Sequence, residues 1–177
     1  MFRSAILAST FALTALAQAA NVDVVAGDKV RLDGELVQLV DIDSPELCQP
    51  GGIQAREVLA ALLDGTLTYE TTGRSKEGAR QIRLYVDGRE VNQSLVQLGW
   101  AWTTTRSPSD RYAFAQSVAK ADRIGLWAYE NPVPPWQWNP STHESNNDGC
   151  DQVAGQPLTP PAKSAKGADG KPMRLRG

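Results

Sequence analysis

The chain has 177 residues, of which 41% are hydrophobic, and its 18 basic and 20 acidic side chains give a formal charge of −2. This length fits one domain with appendages. Because affinity for nucleic acid depends mainly on Lys and Arg side chains that neutralise phosphates, the charge balance disfavours a tight, non-specific nucleic-acid binder. It remains compatible with an enzyme that makes brief local contacts with its substrate.

The first 19 residues have the pattern of a signal peptide. A short positive start containing Arg3 precedes an uncharged apolar run, residues 5–16, and Ala17 and Ala19 supply the small residues that signal peptidase reads. The run is shorter than the about 20 apolar residues that a membrane-spanning helix needs. We therefore predict cleavage after Ala19 and export, periplasmic or extracellular, with no membrane span left. The exported chain loses one base and no acid, so its formal charge becomes −3.

The central part of the chain has the pattern of a small mixed domain. Five segments are rich in β-forming residues and bounded by turn signals: residues 22–25, 29–32, 35–42, 66–72 and 81–86. Three segments have apolar residues at helical spacing: residues 54–63, 91–99 and 111–124. This order predicts a mainly β domain with helices (α+β), a five-stranded OB-fold barrel capped by about three helices, over residues 20–140.

The character of the sequence changes after this domain. Trp136 and Trp138 lie just before its end, where we expect them to clamp the last segment against the barrel, with nucleobase stacking as the alternative. Residues 141–177 are rich in Ser, Asn, Pro, Gly and Lys and lack apolar periodicity. Such a segment buries too little surface to offset the entropy of ordering it, so we predict a largely disordered tail.

The chain contains two cysteines, Cys48 and Cys150. An even number of cysteines in an exported protein favours a disulfide, which would tie the tail to the loop after Glu46. The alternative is two free thiols. A metal site made from these two residues is not expected, because the chain's single histidine has no ligand-like spacing to either of them.

Several short sequences narrow the choice among OB-like domains. They are VVAGDKVRLDG, VQLVDIDSPE, LYVDGREVNQSLVQLGWAW, AKADRIGLWA and PVPPWQW, in this order between residues 24 and 138. Together they resemble the staphylococcal nuclease (thermonuclease) family. The resemblance implies calcium-dependent hydrolysis of DNA or RNA phosphodiester bonds, with the nucleic acid bound weakly and transiently. We expect the protein to be a monomer.

The resemblance also assigns roles to four residues. Asp28 and Asp43 fall where the family's two metal-binding aspartates lie, and Ser44 falls where a backbone carbonyl is used. Glu46 falls where the family has its general base. Hard oxygen ligands of this kind suit calcium. The alternative for each acid is an ordinary carboxylate in a turn.

Two neighbouring residues add to this picture. Residues two apart in a strand share a face, so Asp41 should project beside Asp43 and bring a fourth carboxylate to the region. Like charges at close range raise each other's pKa unless a cation compensates them. Lys29 stands where the family usually has threonine, and its ammonium would supply part of that charge and weaken metal binding.

Both positions where the family has a catalytic arginine are changed. They are Gln38, five residues before Asp43, and Ala79, which follows the glycine of the polar loop. Loss of one transition-state donor typically lowers a rate by about 10² to 10³. A bulge could bring Arg80 into the site instead, although a strand arginine is more often a surface group. Two hypotheses remain: a weak calcium-dependent nuclease, or a catalytically lapsed OB-fold module that binds a metal, an oligonucleotide or an envelope partner.

Overall fold

The computed structural model describes residues 21–104 and 110–139, so the predicted leader and tail lie outside the described residues. Eight strands are present there: β1 (Val22–Ala26), β2 (Lys29–Leu32), β3 (Glu35–Leu39), β4 (Ile42–Asp43), β5 (Leu67–Arg74), β6 (Arg80–Val86), β7 (Arg89–Glu90) and β8 (Trp102–Thr103). Three α-helices accompany them: α1 (Gly52–Leu62), α2 (Val91–Gln97) and α3 (Asp110–Ala121). Short 3-10 turns follow at Gly125–Ala128 and Pro135–Gln137. None of the helices in these two ranges is long and apolar enough to cross a bilayer.

The five longer strands form one sheet in the order β1-β2-β3-β6-β5, with β7 paired to β6. Strands β3 and β6 run parallel, and the other pairs are antiparallel. The predicted α+β class and the OB-like arrangement of five main strands with three helices are confirmed. The predicted closure of the barrel is not seen, because no pairing within the described ranges joins β1 to β5. Strand β5 is exposed along almost its whole length.

The predicted third strand is shorter than the sequence suggested. Strand β3 ends at Leu39, and a turn at Val40 and Asp41 follows, where Asp41 adopts a left-handed backbone with φ of 65°. Aspartate tolerates this conformation better than most residues. The turn redirects the chain into β4, which pairs with β8 instead of continuing the main sheet. Strand alternation therefore does not carry over from Asp41 to Asp43.

The core lies between the sheet and the three helices. Its buried residues are Val30, Leu32, Val37, Leu39, Ile42, Leu59, Ile82, Leu84, Val86, Val91, Leu95, Val96, Ala101, Tyr112 and Ala115. The strand members alternate with exposed or half-buried residues, as expected for a sheet with one face on the core. Helix α1 packs against β1, and helices α2 and α3 pack against each other.

One polar side chain in this core, Asn92 at the start of α2, joins three elements. It is fully buried, its Oδ1 accepts a hydrogen bond from the Leu84 amide at 3.1 Å, and its Nδ2 donates to the carbonyls of Val40 and Ile82 at 3.1 and 3.2 Å. The amide therefore fixes α2 to β6 and to the turn that separates β3 from β4. The sequence analysis did not identify it.

We expect Asn92→Ala to lower the free energy of unfolding by about 2–4 kcal/mol, since it leaves buried backbone groups without partners. Urea unfolding followed by tryptophan fluorescence measures this change. Gln97→Ala, at an exposed position of the same helix, serves as the control and should change stability little. Equal stability of the two variants would contradict the structural role of Asn92.

Candidate functional site

Three carboxylates meet at one end of the sheet. Asp28 lies in the turn between β1 and β2, Asp43 ends β4, and Glu46 lies in the following loop. We call these three residues the acid cluster. The Asp28 turn is fixed because its carbonyl accepts a hydrogen bond from the Leu39 amide at 2.8 Å. Gly27 allows the turn to pack closely against α1, since a Cβ on Gly27 would lie only 2.6 Å from the Cβ of Ala55.

The ammonium of Lys29 lies inside the acid cluster. Its Nζ is 3.2 Å from Asp28 Oδ1 and 3.5 Å from Glu46 Oε1. The Asp28 side chain is only 1% exposed, whereas that of Glu46 is 50% exposed. The glutamine at the family's first arginine position also contacts the buried acid, because Gln38 Nε2 donates to Asp28 Oδ2 at 3.4 Å.

Burial and mutual repulsion shift the pKa values of this group. Burial raises the pKa of Asp28, although Lys29 opposes this. Burial, together with the charges of Asp28 and Glu46, raises the pKa of Asp43 to about 7. For Lys29, burial lowers the pKa, but the charges of Asp28 and Glu46 outweigh it and raise the pKa above its ordinary value. The lysine therefore stays charged, and Asp43 titrates near neutral pH.

The loop that carries Glu46 is held by two residues that the sequence analysis missed. Gln49 is 4% exposed, and its Oε1 accepts a hydrogen bond from the Glu46 amide at 3.2 Å while its Nε2 donates to the Val133 carbonyl. A Cβ on Gly52 would lie 1.9 Å from the Glu46 carbonyl oxygen, so only glycine fits there. The Gly51-Gly52 pair is visible in the sequence, but the burial of Gln49 is not.

A cleft of about 460 Å³ adjoins the acid cluster. Asp43 belongs to both, and Gln38, which contacts Asp28, also lines the cleft. The other lining residues are Val40, Asp41, Ile42, Arg74, Ser75, Lys76, Glu77, Gln81, Thr104 and Trp136. Arg74 and Lys76 bring positive charge from the β5–β6 hairpin, and Trp136 is 49% exposed. Trp136 thus stands at the cleft, which makes stacking on a ligand available to it.

Asp41 lines the same cleft but is not part of the acid cluster. Its Oδ2 lies 2.9 Å from Nη2 of Arg83, which also pairs with Glu90 at 3.6 Å. The predicted group of four crowded carboxylates is therefore reduced to three. The reason is the turn at Asp41, which aims its side chain toward β6.

The structure does not bring Arg80 to the acid cluster. Its Nη2 pairs with Glu35 Oε2 at 3.0 Å, and its guanidinium stacks on the ring of Tyr69 at 5.4 Å. The bulge that was to redirect it occurs on β5, between Thr71 and Gly73, instead of on β6. Ala79 ends the hairpin loop, where its carbonyl accepts a hydrogen bond from the Ser75 amide at 2.8 Å.

Two further predicted residues are buried beside the acid cluster. Ser44 is fully buried, and its hydroxyl donates to the Trp100 carbonyl at 3.1 Å, so its side chain joins the loop to the end of α2. Cys48 is 8% exposed. Cys150 lies outside the described residues, so the disulfide between the two stays a prediction.

The acid cluster does not fit the calcium ion that the resemblance implies. Calcium takes six to eight oxygen ligands at about 2.3–2.6 Å. In the two ranges that the structure describes, no three Asp, Glu, His or Cys side chains come together in a way that could hold a metal ion. The Lys29 ammonium lies 3.2 Å from Asp28, one of the two aspartates that the resemblance assigns to the metal, so an ion bound there would lie next to a positive charge.

The raised pKa of Asp43 makes stability depend on pH. Its carboxyl ionises near pH 3.8 in the unfolded chain but only near pH 7 in the folded protein. The unfolded state therefore binds fewer protons between these values, and the free energy of unfolding falls as pH rises through that window.

We expect Asp43→Asn to remove this part of the pH dependence and to be more stable than the wild type at pH 8. Urea unfolding at pH 5 and pH 8, with a chelator present, measures both effects. Asp23→Asn, on an exposed position of β1, is the matched control and should keep the wild-type slope. A variant that is destabilised at pH 8 would show that the Asp43 charge is compensated.

Comparison with known proteins identifies the family of the domain. The family model described as "Staphylococcal nuclease homologue" matches residues 36–129. An uncharacterized endonuclease of Escherichia coli O157:H7 is 34% identical over 105 residues, which are 58% of this chain and 69% of that protein. The micrococcal nuclease of Shigella flexneri is 32% identical over 127 residues, which cover 63% and 71%. An uncharacterized 38.1 kDa protein of Capnoides sempervirens is 33% identical over 104 residues, but these span only 31% of its length.

The family match covers more than half of the chain and includes Gln38, Asp43 and Glu46, while Asp28 and Lys29 precede it. The aligned part of the E. coli protein exceeds two thirds of its length. Of the three matched residues, Gln38 and Asp43 line the cleft, and Asp43 and Glu46 belong to the acid cluster. The chain therefore belongs to the staphylococcal nuclease homologue family and carries a nuclease-like domain.

Proposed function

We propose that this protein is an exported nuclease that hydrolyses phosphodiester bonds of DNA or RNA with low turnover and acts as a monomer. The observation that carries this proposal is the cluster of Asp28, Asp43 and Glu46 beside a cleft that is lined by Arg74, Lys76 and Trp136 together with the acids Asp41 and Glu77. Both features lie in a domain of the staphylococcal nuclease family. Export rests on the leader pattern of the first 19 residues.

In this proposal the phosphodiester bond is hydrolysed by general-base catalysis. Glu46 has its side chain 50% exposed, so it can accept a proton from a water molecule that attacks the phosphorus. The bond to one ester oxygen then breaks, and that leaving oxygen takes up a proton. Arg74 and Lys76 on the cleft wall attract the phosphate, and the exposed face of Trp136 offers a surface for base stacking.

Low turnover follows from the missing arginines. Gln38 hydrogen-bonds Asp28 and brings no charge, and Ala79 has no polar side chain. Arg80, the substitute that the sequence suggested, is paired with Glu35. Charge that develops on the phosphate oxygens in the transition state is therefore stabilised less than in a site with two arginines. The calcium that the resemblance implies has no step in this account, because Lys29 stands in the acid cluster.

The same observations favour a second function, a catalytically lapsed module that binds an oligonucleotide. The cleft is lined by Arg74, Lys76 and Trp136, whereas the two positions whose arginines would stabilise the transition state are Gln38 and Ala79. Binding and cleavage are separable because a binding site needs no differential stabilisation of the transition state.

We expect the protein to cleave single-stranded DNA or RNA slowly, and Glu46→Gln to abolish the cleavage while leaving the fold intact. Gel assays with 5′-labelled oligonucleotides, in calcium and in chelator, measure the rate. Glu57→Gln, on an exposed position of α1, is the matched control and should keep the wild-type rate. Cleavage that persists unchanged in Glu46→Gln, or none by folded wild type, would overturn the nuclease proposal; bound oligonucleotide without cleavage would support the lapsed module.

We expect the double variant Gln38→Arg, Ala79→Arg to cleave at least about 10²-fold faster than the wild type, because it restores two charged donors. The comparison uses single-turnover rates on the same oligonucleotides. The double variant Gln38→Lys, Ala79→Lys is the control for charge without the bidentate guanidinium. A wild-type rate that already matches the arginine variant would show that another cation serves the transition state.

A further inference from the structure

We propose that Lys29 is a built-in cation that takes the place of a bound metal ion in the acid cluster, so that this site needs no calcium. The inference deepens the proposed function, because it concerns the cation of the same site. Its main measurement, the binding of calcium, does not depend on whether cleavage occurs. Failure of the two proposals can therefore be told apart.

The position of the ammonium carries the argument. Nζ lies 3.2 Å from the Asp28 carboxylate and 3.5 Å from that of Glu46, and Asp28 is 1% exposed. A surface lysine that pairs with an acid by chance contributes little and is solvated. Here the acid is buried, so removal of its partner would leave an uncompensated charge in the interior.

The backbone fixes the lysine in this position. Lys29 is the first residue of β2 and pairs across the sheet with Gln38, which itself contacts Asp28. The residue on the other side is Ala26, the last residue of β1. The backbone therefore holds the start of the Lys29 side chain beside Asp28, and the two ion-pair contacts place its ammonium in the acid cluster.

The acid cluster contains three carboxylates, and Lys29 supplies one positive charge to them. Asp28, Asp43 and Glu46 bring three carboxylates, and Lys29 is the cation that interacts with all of them. A divalent ion between the same oxygens would lie next to the ammonium and be repelled by it. One positive charge against three acids leaves an excess of negative charge. That excess is consistent with the repulsion between Asp43 and its two acidic neighbours.

If Lys29 supplies the cation of the site, cleavage does not require calcium. An ammonium has three donor hydrogens, and the two contacts with Asp28 and Glu46 leave one to face a phosphate oxygen. It carries one charge where calcium carries two, so it stabilises a developing phosphate charge less. The lysine in place of calcium and the loss of both arginines then act in the same direction, because each reduces the positive charge that faces the phosphate.

The test is calorimetric titration of the full chain with calcium chloride, together with thermal unfolding in calcium and in chelator. We expect wild type to show no saturable binding at millimolar calcium and the same melting temperature in both solutions. Lys29→Thr, which restores the family's usual residue, should gain a saturable calcium site whose dissociation constant is at least about tenfold below the highest calcium concentration tested, and chelator should lower its melting temperature. Lys76→Thr, which removes the same charge from the cleft wall, should behave like wild type toward calcium.

Two results would overturn the inference. One is saturable calcium binding by wild type at millimolar concentration. The other is the absence of binding by a folded Lys29→Thr, which would show that the lysine is not what excludes the metal. Lys29→Gln provides a second neutral variant if the threonine variant does not fold. Oligonucleotide cleavage measured in parallel reports on the proposed nuclease separately, since a protein that never cleaves can still gain calcium binding.

Discussion

A carboxylate that is removed from water must be compensated, and in this protein the residue that follows the buried Asp28 compensates part of that cost, although burial still raises the pKa of Asp28. The contact between Lys29 Nζ and Asp28 Oδ1, at 3.2 Å, joins the first turn of the sheet to the acid cluster. The rest of the site is arranged around it. Gln38 approaches Asp28 from β3, and Glu46 approaches Lys29 from the loop after β4. Asp43 experiences the charges of Asp28, Lys29 and Glu46.

The scaffold around this contact is built from close approaches and buried polar groups. Gly27 and Gly52 allow α1 to pack against the Asp28 turn and the Glu46 loop, and Gln49 ties that loop to the C-terminal segment. Asn92 fixes the turn after β3, from which β4 carries Asp43 to the site. The acid cluster is thus held by elements that make no chemical contribution themselves. Their rigidity keeps three like charges together despite their repulsion.

The family's chemistry depends on positive charge near the phosphate, and in this chain the positive side chains lie at other positions. Two arginine positions have become Gln38 and Ala79, Arg80 and Arg83 serve ion pairs with Glu35 and Asp41, and the cation among the acids is a lysine. The basic side chains that line the cleft are Arg74 and Lys76. We expect such a distribution to retain binding of nucleic acid better than turnover, because binding draws on ground-state attraction alone.

Hairpin signals and helical spacing were sufficient to predict the α+β class and the main strands and helices, because these depend on local patterns. Five ordered motifs gave the resemblance to the family and, through it, the acids assigned to the site. The partners of the side chains depend on the folded structure. The turn at Asp41 sends its carboxylate to Arg83, β6 directs Arg80 to Glu35, and the sheet does not join β1 to β5 within the described residues. These outcomes depend on backbone direction and on partners distant in sequence, so no local pattern contains them.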